Sequence, residues 1–291
     1  MSHHDHPILK RPYSERQLIA IAADEVIAAE REAKEKSTSK SEGVDWTKVA
    51  KLTLAFFGGP TRILTEVTIE AIKAWNRVRA SGFPVLTITR TDAMAVKLPP
   101  GHPRDGVLYV GHPAIPSVYY TPALFHRLCF EHKFCEAINL LMDLGATEIS
   151  VEHISGWSKE FSANLSVPLG ATEVGTKAGS SSKAGSQLLY KATLAGTENP
   201  SVPSNLVWYP HEPTWHQIAE GRLKFGLKDF SLSVRYEDDF GINAGLKTAV
   251  TKAGLDLGGK FEDHQSTVWR IDGKFSSMKS KHHGRHKTKR K

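Results

Sequence analysis

The stretch TPALFHRLCFEHKFCEAINLLMDLGATEISVEHI, residues 121–154, decides the fold. It opens with a Thr-Pro pair, the residue types preferred at a helix N-cap and first helical position, and Gly145 is a typical helix stop. Apolar residues between these signals cover most of the helical circumference, which predicts burial on more than one side. Residues 147–154 then alternate with period two, as in a half-buried strand. We therefore expect a buried central helix, 121–144, that leads directly into a strand.

The sequence before this stretch favours helices. A capping-box pattern followed by apolar residues near a 3.6 period predicts a helix over residues 14–36. A serine-rich linker follows it, so this helix is expected to form an arm that mediates self-association, binds a protein partner or lies loosely on the body. Further helices are predicted at 45–57 and 61–80.

The rest of the chain favours strands with one inserted helix. Alternating, β-branched segments predict strands, whereas a proline followed by apolar residues and Gly226 predicts a helix over 213–225. The predicted strands are 85–90, 107–110, 230–236 and 268–275. Helices followed mostly by strands indicate an α+β fold: N-terminal helices, then a mainly antiparallel sheet with one buried central helix (121–144) and a long Gly/Ser-rich hairpin.

The hairpin is predicted from composition. Sixteen of the twenty-five residues in 162–186 are Gly, Ala, Ser or Thr, and the flanking segments 163–167 and 189–194 alternate like strands. Residues 243–254 have a similar small-residue composition. Both a helix capped by Asn243 and a second long strand fit them, and the helix is preferred.

Three segments are expected: a helical arm and linker (1–43), a single α+β domain (44–273) and a disordered basic tail (274–291). The 291 residues are 40% hydrophobic and 24% charged, within the globular range. No run of about 18 apolar residues predicts a membrane-spanning helix, and the first residues lack the apolar core of a secretory signal. Two cysteines, Cys129 and Cys135, do not make a disulfide framework, so a cytoplasmic location is expected.

The motifs of several enzyme classes are absent from the sequence. There is no Walker A loop, no Gly-x-Gly-x-x-Gly, no Gly-x-Ser-x-Gly and no His-Glu-x-x-His, so neither a cofactor nor a metal site is predicted. His132 and Glu136 stand four residues apart on the central helix, which favours an ordinary contact on the helix surface over acid–base catalysis.

Two clusters remain as candidate binding sites. A Gly-His-Pro tripeptide occurs twice, and the second copy holds His112 in a rigid loop, where its imidazole is either a pocket ligand or a turn residue. The segment Trp208-Tyr-Pro-His-Glu-Pro-Thr-Trp215 brings aromatic rings together with His211, which suits either a ligand groove or plain packing.

The positive charge of the chain is concentrated in its last 18 residues. Residues 274–291 contain eight Lys or Arg and no acid, so removing them from a formal net charge of +7 leaves −1 for residues 1–273. Such a segment is expected to contact phosphates or acidic lipid headgroups without sequence preference. The candidate binding residues there are Lys279, Lys281, Arg285, Lys287, Lys289, Arg290 and Lys291.

Three functional hypotheses follow. The first is a non-catalytic cytoplasmic binding or effector protein whose basic tail docks on a polyanion, either nucleic acid or an acidic membrane surface. The second is a membrane-inserting, pore-forming β-hairpin protein that uses segments 162–194 and 243–261. The third is an enzyme whose reaction class the sequence does not indicate, with a site near His112, His126 and His211.

Overall fold

The computed structural model describes residues 6–28, 30–31, 62–157 and 187–277. The chain forms two compact units, each assembled from separated segments. The first contains Met1–Cys129 and Asp239–His264, and the second contains Phe130–Asp238 and Gln265–Lys291. The expected division into an arm, a single domain and a tail stays a prediction, and its boundary at residue 43 lies outside the described residues.

A four-stranded mixed sheet forms the first unit, in the order β2-β1-β3-β4. Strand β1 pairs in parallel with β2 (Leu18 opposite Val85) and antiparallel with β3 (Leu18 opposite Val110). The strand bounds are β1 Leu18–Ala22, β2 Val85–Thr89, β3 Leu108–Gly111 and β4 Tyr119–Tyr120. Strands β2 and β3 confirm the predictions at 85–90 and 107–110.

The prediction of one helix over 14–36 is wrong. A single turn, α1 (Tyr13–Arg16), is followed by β1, and helix resumes only at residues 24–28 and 30–31. All five residues of β1 are buried, so both faces of this strand are covered. A strand covered on both faces is apolar at consecutive positions, and periodicity does not distinguish that pattern from a buried helix. The expectation that this segment mediates self-association or binds a protein partner stays a prediction.

Two helices accompany the first sheet. Helix α2 (Arg62–Ala80) confirms the prediction at 61–80, and it packs against helix α5 (Ala244–Ala253). The side-chain oxygen of Asn243 accepts the backbone N–H of Gly245 at 2.9 Å and caps α5. This confirms the helix that the sequence analysis preferred over a strand for residues 243–254. The predicted helix at 45–57 lies outside the described residues.

An antiparallel sheet forms the second unit, in the order β6-β5-β8-β7. Its inner face packs on the central helix α3 (Phe125–Asp143), where the Phe130 and Phe134 rings lie 4.8 and 5.1 Å from the Trp269 ring. The strand bounds are β5 Ala146–Ser155, β6 Gln187–Thr193, β7 Asp229–Tyr236 and β8 Thr267–Phe275. The buried central helix and the strands predicted around it are confirmed.

Helix α4 (Pro213–Phe225) confirms the remaining helix prediction, and Gly226 ends it in the left-handed conformation. The structure is therefore α+β, with its mostly antiparallel strands divided between two sheets. Strands β5 and β6 are adjacent and antiparallel, while the Gly/Ser-rich tip of the predicted hairpin lies outside the described residues. In the part of the chain that the structure describes, no helix has the length and hydropathy needed to cross a bilayer.

Candidate functional site

His112 is fully buried and closes its own loop. Its Nδ1 accepts the backbone N–H groups of Ala114 and Ile115 at 3.1 and 3.0 Å, and its backbone N–H donates to the Val118 carbonyl at 2.7 Å. These contacts fold residues 112–118 into a turn that returns the chain from β3 to β4. The imidazole thus has the turn role that the sequence offered as one of two alternatives.

His126 is also fully buried, at the start of α3 in the first unit. Its Nε2 lies 2.5 Å from the Ile242 carbonyl, and its ring meets the rings of Phe125 and His264 edge-on at 5.2 Å. Burial lowers the pKa of His126, and neighbouring His264 lowers it further, against the hydrogen bond to Ile242 and the charges of Asp239 and Asp263. The environment of His126 therefore favours the neutral imidazole over the charged one.

His211 lies in the second unit and is exposed. The two tryptophans of the same segment are buried: Trp215 is inaccessible to solvent and Trp208 is 7% exposed. Tyr209 stacks on His216 with ring centroids 4.0 Å apart. The segment therefore presents His211 and the Tyr209–His216 pair to solvent, while its tryptophans pack inside.

Glu136 anchors this aromatic segment to the central helix. Its carboxylate accepts the backbone N–H groups of Val207, Trp208 and Tyr209, each at 2.8 Å. One turn earlier, His132 Nδ1 accepts the indole N–H of Trp208 at 2.8 Å. The spacing of His132 and Glu136 predicted an ordinary contact on the helix surface. Instead, both side chains bind a segment more than 70 residues further along the chain.

Lys133 adds a charge to the same anchor. Its ammonium group pairs with Glu212, donates to the Arg235 carbonyl at 2.7 Å and lies 5.3 Å from the Trp208 ring centroid. His132, Lys133 and Glu136 of α3 are therefore engaged in structural contacts. Cys135, on the same helix, is a poor nucleophile, because burial, with the charge of Glu131, raises its pKa to about 11.

The binding residues predicted in the tail, from Lys279 to Lys291, lie outside the described residues. The structure does show where the tail begins. Lys274 belongs to β8 and pairs with Glu148 at 3.1 Å, and Phe275 is buried. Seven of the eight cations therefore follow the last described residue, Ser277.

Arg222 holds the end of β8, which sequence reasoning missed. This 1% exposed guanidinium donates to the carbonyls of Leu144 and Leu227 at 2.9 and 3.2 Å and to Ser276 Oγ at 3.1 Å. It also lies 5.0 Å from the Phe275 ring centroid, and burial lowers its pKa. An arginine among helix-forming residues gives no sequence signal for such a position.

Three exposed apolar side chains lie near the ends of α3 and α4, in the chain segments that hydrogen-bond the end of β8. Phe225 is 80% exposed, Leu223 is 38% exposed and Met142 is 36% exposed. The buried residues of α4 are Trp215, Ala219 and Arg222, which repeat with helical spacing on one face. Leu223 does not belong to that face, so the sequence pattern predicts its exposure. Phe225 gives no such signal, since its exposure follows from the end of the helix at Gly226. We call Met142, Leu223, Phe225 and the exposed Lys228 the tail-exit surface.

Within the described ranges, no three His, Cys, Asp or Glu side chains come together as a metal site requires. No protein family, no curated protein and no solved structure matches the chain.

Proposed function

We propose that this protein is a non-catalytic, cytoplasmic binding or effector protein that docks on an anionic partner through its basic C-terminal tail. The segregation of charge supports the proposal most directly. Residues 278–291 carry seven Lys or Arg and no acid, and they follow a chain that is otherwise near electrical balance. A polycation next to a neutral body binds through phosphates or acidic headgroups.

The contacts of the candidate catalytic groups support the part of the proposal that says the protein is non-catalytic. Glu136 and His132 hold the Trp208 segment, His112 holds its own turn, and His126 contacts a backbone carbonyl. A general base must reach a substrate proton, and these groups are instead committed to partners inside the protein.

Truncation after Ser277 tests the proposal without disturbing β8. The probes are a 20-base-pair duplex DNA and vesicles of phosphatidylcholine with 30% phosphatidylserine. If about six contacts form, log affinity of the full chain for DNA falls against log salt with a slope of about −5. The truncated protein should lose at least about tenfold in affinity for both probes, and its salt slope should approach zero.

A variant with the order of residues 278–291 scrambled is the matched control. It keeps the charge and length, so it should bind like the natural chain because backbone and headgroup contacts carry no sequence information. Unchanged affinity and salt slope after truncation would assign binding to the folded units and refute the proposal.

The β5–β6 pair favours a second candidate, a membrane-inserting hairpin. These consecutive antiparallel strands frame residues 158–186, and Ile154 and Leu188 are 41% and 52% exposed at the end from which that segment leaves. The other segment proposed for insertion, 243–261, contains helix α5 in this structure. Dye release from the same anionic vesicles tests this candidate, and intact vesicles at micromolar protein, at both acidic and neutral pH, would remove it.

A further inference from the structure

We propose that the anionic partner is a lipid bilayer, and that the tail-exit surface enters its interface with Phe225 as the anchor. This inference rests on the proposed docking function and names the partner. It also adds a second contact, since the tail alone does not distinguish a membrane from a nucleic acid.

The position of Phe225 is fixed by the end of α4. The N–H of Gly226 donates to the Arg222 carbonyl at 3.2 Å, and the N–H of Leu227 donates to the Gly221 carbonyl at 3.0 Å. Gly226 adopts a φ of 67°, which a residue with a Cβ rarely adopts. The exposed ring therefore stands on a closed, hydrogen-bonded helix end, and little backbone conformational entropy is lost when it binds.

The tail starts beside this helix end. The N–H of Phe275 donates to the Lys228 carbonyl at 2.7 Å, three residues after Phe225. The N–H of Ser276 donates to the Gly145 carbonyl at 2.9 Å, and Gly145 in turn donates to the Met142 carbonyl. Thus the first residues of the tail are hydrogen-bonded to the two chain segments that carry the exposed apolar side chains.

Apolar exposure is concentrated there. The described residues expose six large apolar side chains, and three of them (Met142, Leu223 and Phe225) belong to the tail-exit surface. Exposed apolar groups close to a polycation are the usual composition of an interfacial membrane anchor.

The charges around the ring show why the tail is needed. Lys224 pairs with Glu220 at 2.5 Å, and exposed Lys228 is followed by Asp229, so the folded part of this end is close to neutral. The seven tail cations supply the attraction to acidic headgroups, and the tail, fully extended, reaches at most about 50 Å from Ser277. Two weak signals at one end of the second unit give stable membrane binding where either alone gives a marginal one.

A duplex nucleic acid has no apolar exterior that would be complementary to the tail-exit surface. Its exterior presents phosphates, which attract the tail but make no favourable contact with Phe225, Leu223 or Met142. A bilayer interface accommodates both the cations and the apolar side chains. The chemistry of the surface therefore favours lipid.

The test compares Phe225→Ser with the natural chain on phosphatidylserine-containing vesicles and on duplex DNA. Loss of the anchor should lower vesicle affinity about tenfold and leave DNA binding unchanged. Phe225→Trp should restore vesicle binding fully, since tryptophan favours the interface. Because the ring is 80% exposed, both variants should keep the natural thermal midpoint.

Leu188→Ser is the matched control. Leu188 lies at the end of the second unit's sheet that is opposite to the end where the tail begins. Leu188 lies opposite Glu152 near the end of β5, whereas Phe275 lies opposite Ala146 at its start. This control should bind vesicles like the natural chain. Vesicle binding that Phe225→Ser leaves unchanged, or that Leu188→Ser weakens instead, would overturn the inference. The proposed function fails separately, through an unchanged salt slope after truncation at Ser277.

Discussion

Glu136 and Trp208 are joined by a 2.8 Å hydrogen bond from the Trp208 backbone N–H to the Glu136 carboxylate, 72 residues apart in the sequence. The same carboxylate accepts two further N–H groups, from Val207 and Tyr209, so one side chain satisfies three consecutive backbone donors. Buried donors without acceptors are costly, which makes this carboxylate a structural requirement for the segment that precedes α4.

Substitution Glu136→Gln should lower the free energy of unfolding by about 2–3 kcal/mol, because an amide replaces charge-assisted acceptors with one neutral oxygen and a competing donor. Urea denaturation followed by tryptophan fluorescence measures the change. Glu220→Gln is the control on an exposed helix surface and should leave the unfolding midpoint near that of the natural chain. Equal effects of the two substitutions would contradict the role assigned to Glu136.

Arg222→Met should destabilise the protein by about 3 kcal/mol. The substitution keeps the packing volume but removes the donors that satisfy Leu144, Leu227 and Ser276 in a buried site. Denaturation midpoints measure the loss. Arg235→Met, on the exposed side of β7, is the control and should change stability little. A stable Arg222→Met protein would show that these hydrogen bonds do not hold the end of β8.

Stability should fall as the pH drops below about 6.5, the ordinary value for histidine. The pKa of His126 in the folded protein is lowered by burial, so the unfolded chain takes up the proton first and acid favours unfolding. Burial lowers the pKa of His132 as well, and this histidine acts in the same direction. The loss is complete once the pH has passed below the folded pKa values.

Thermal midpoints between pH 5 and 7 test this expectation. His126→Gln keeps a donor for the Ile242 carbonyl without a titrating group, so it should flatten the profile by a few degrees at the acid end. His211→Gln, at an exposed site, should reproduce the natural profile. A profile that keeps its full slope in the double variant His126→Gln/His132→Gln would assign the acid sensitivity to other groups.

Both cysteines should resist alkylation in the native protein. Cys129 is fully buried, and the pKa of Cys135 is raised to about 11 by burial, so the thiolate that reacts is scarce at pH 8. Iodoacetamide should modify Cys135 roughly a hundredfold more slowly than a free thiol, as mass spectrometry over a time course would show. Both should react at the ordinary rate in denaturant, and fast native labelling of Cys135 would contradict its described environment.

The parts of the fold that follow from local pattern were predictable from the sequence. The central helix is apolar over most of its circumference, and β8 alternates Trp269, Ile271 and Phe275 on its buried face, so each carries its own periodicity. Strand β1 carries none, because Leu18–Ala22 is apolar at every position, and only its pairing with β2 and β3 makes it a strand.

The contacts of the candidate side chains could not be predicted, because their partners are remote in sequence. His132 and Glu136 are correctly placed on one helix by their spacing, yet the residues they bind lie more than 70 positions further on. The same holds for Arg222, whose acceptor on Ser276 is 54 residues away. Local spacing reports which face a residue occupies, whereas the identity of its partner depends on the assembled fold.

The discontinuous construction of both units has a consequence for synthesis. A nascent chain emerges from its N-terminus, and the first unit cannot be completed until Asp239–His264 has left the ribosome. Until then α2 lacks α5, the helix against which it packs. Folding that depends on such distant segments is slow, and the waiting chain exposes apolar surface to other chains. We therefore expect the yield of folded protein during translation to depend on chaperones that shield the first unit's N-terminal segment while residues 130–238 are still being made.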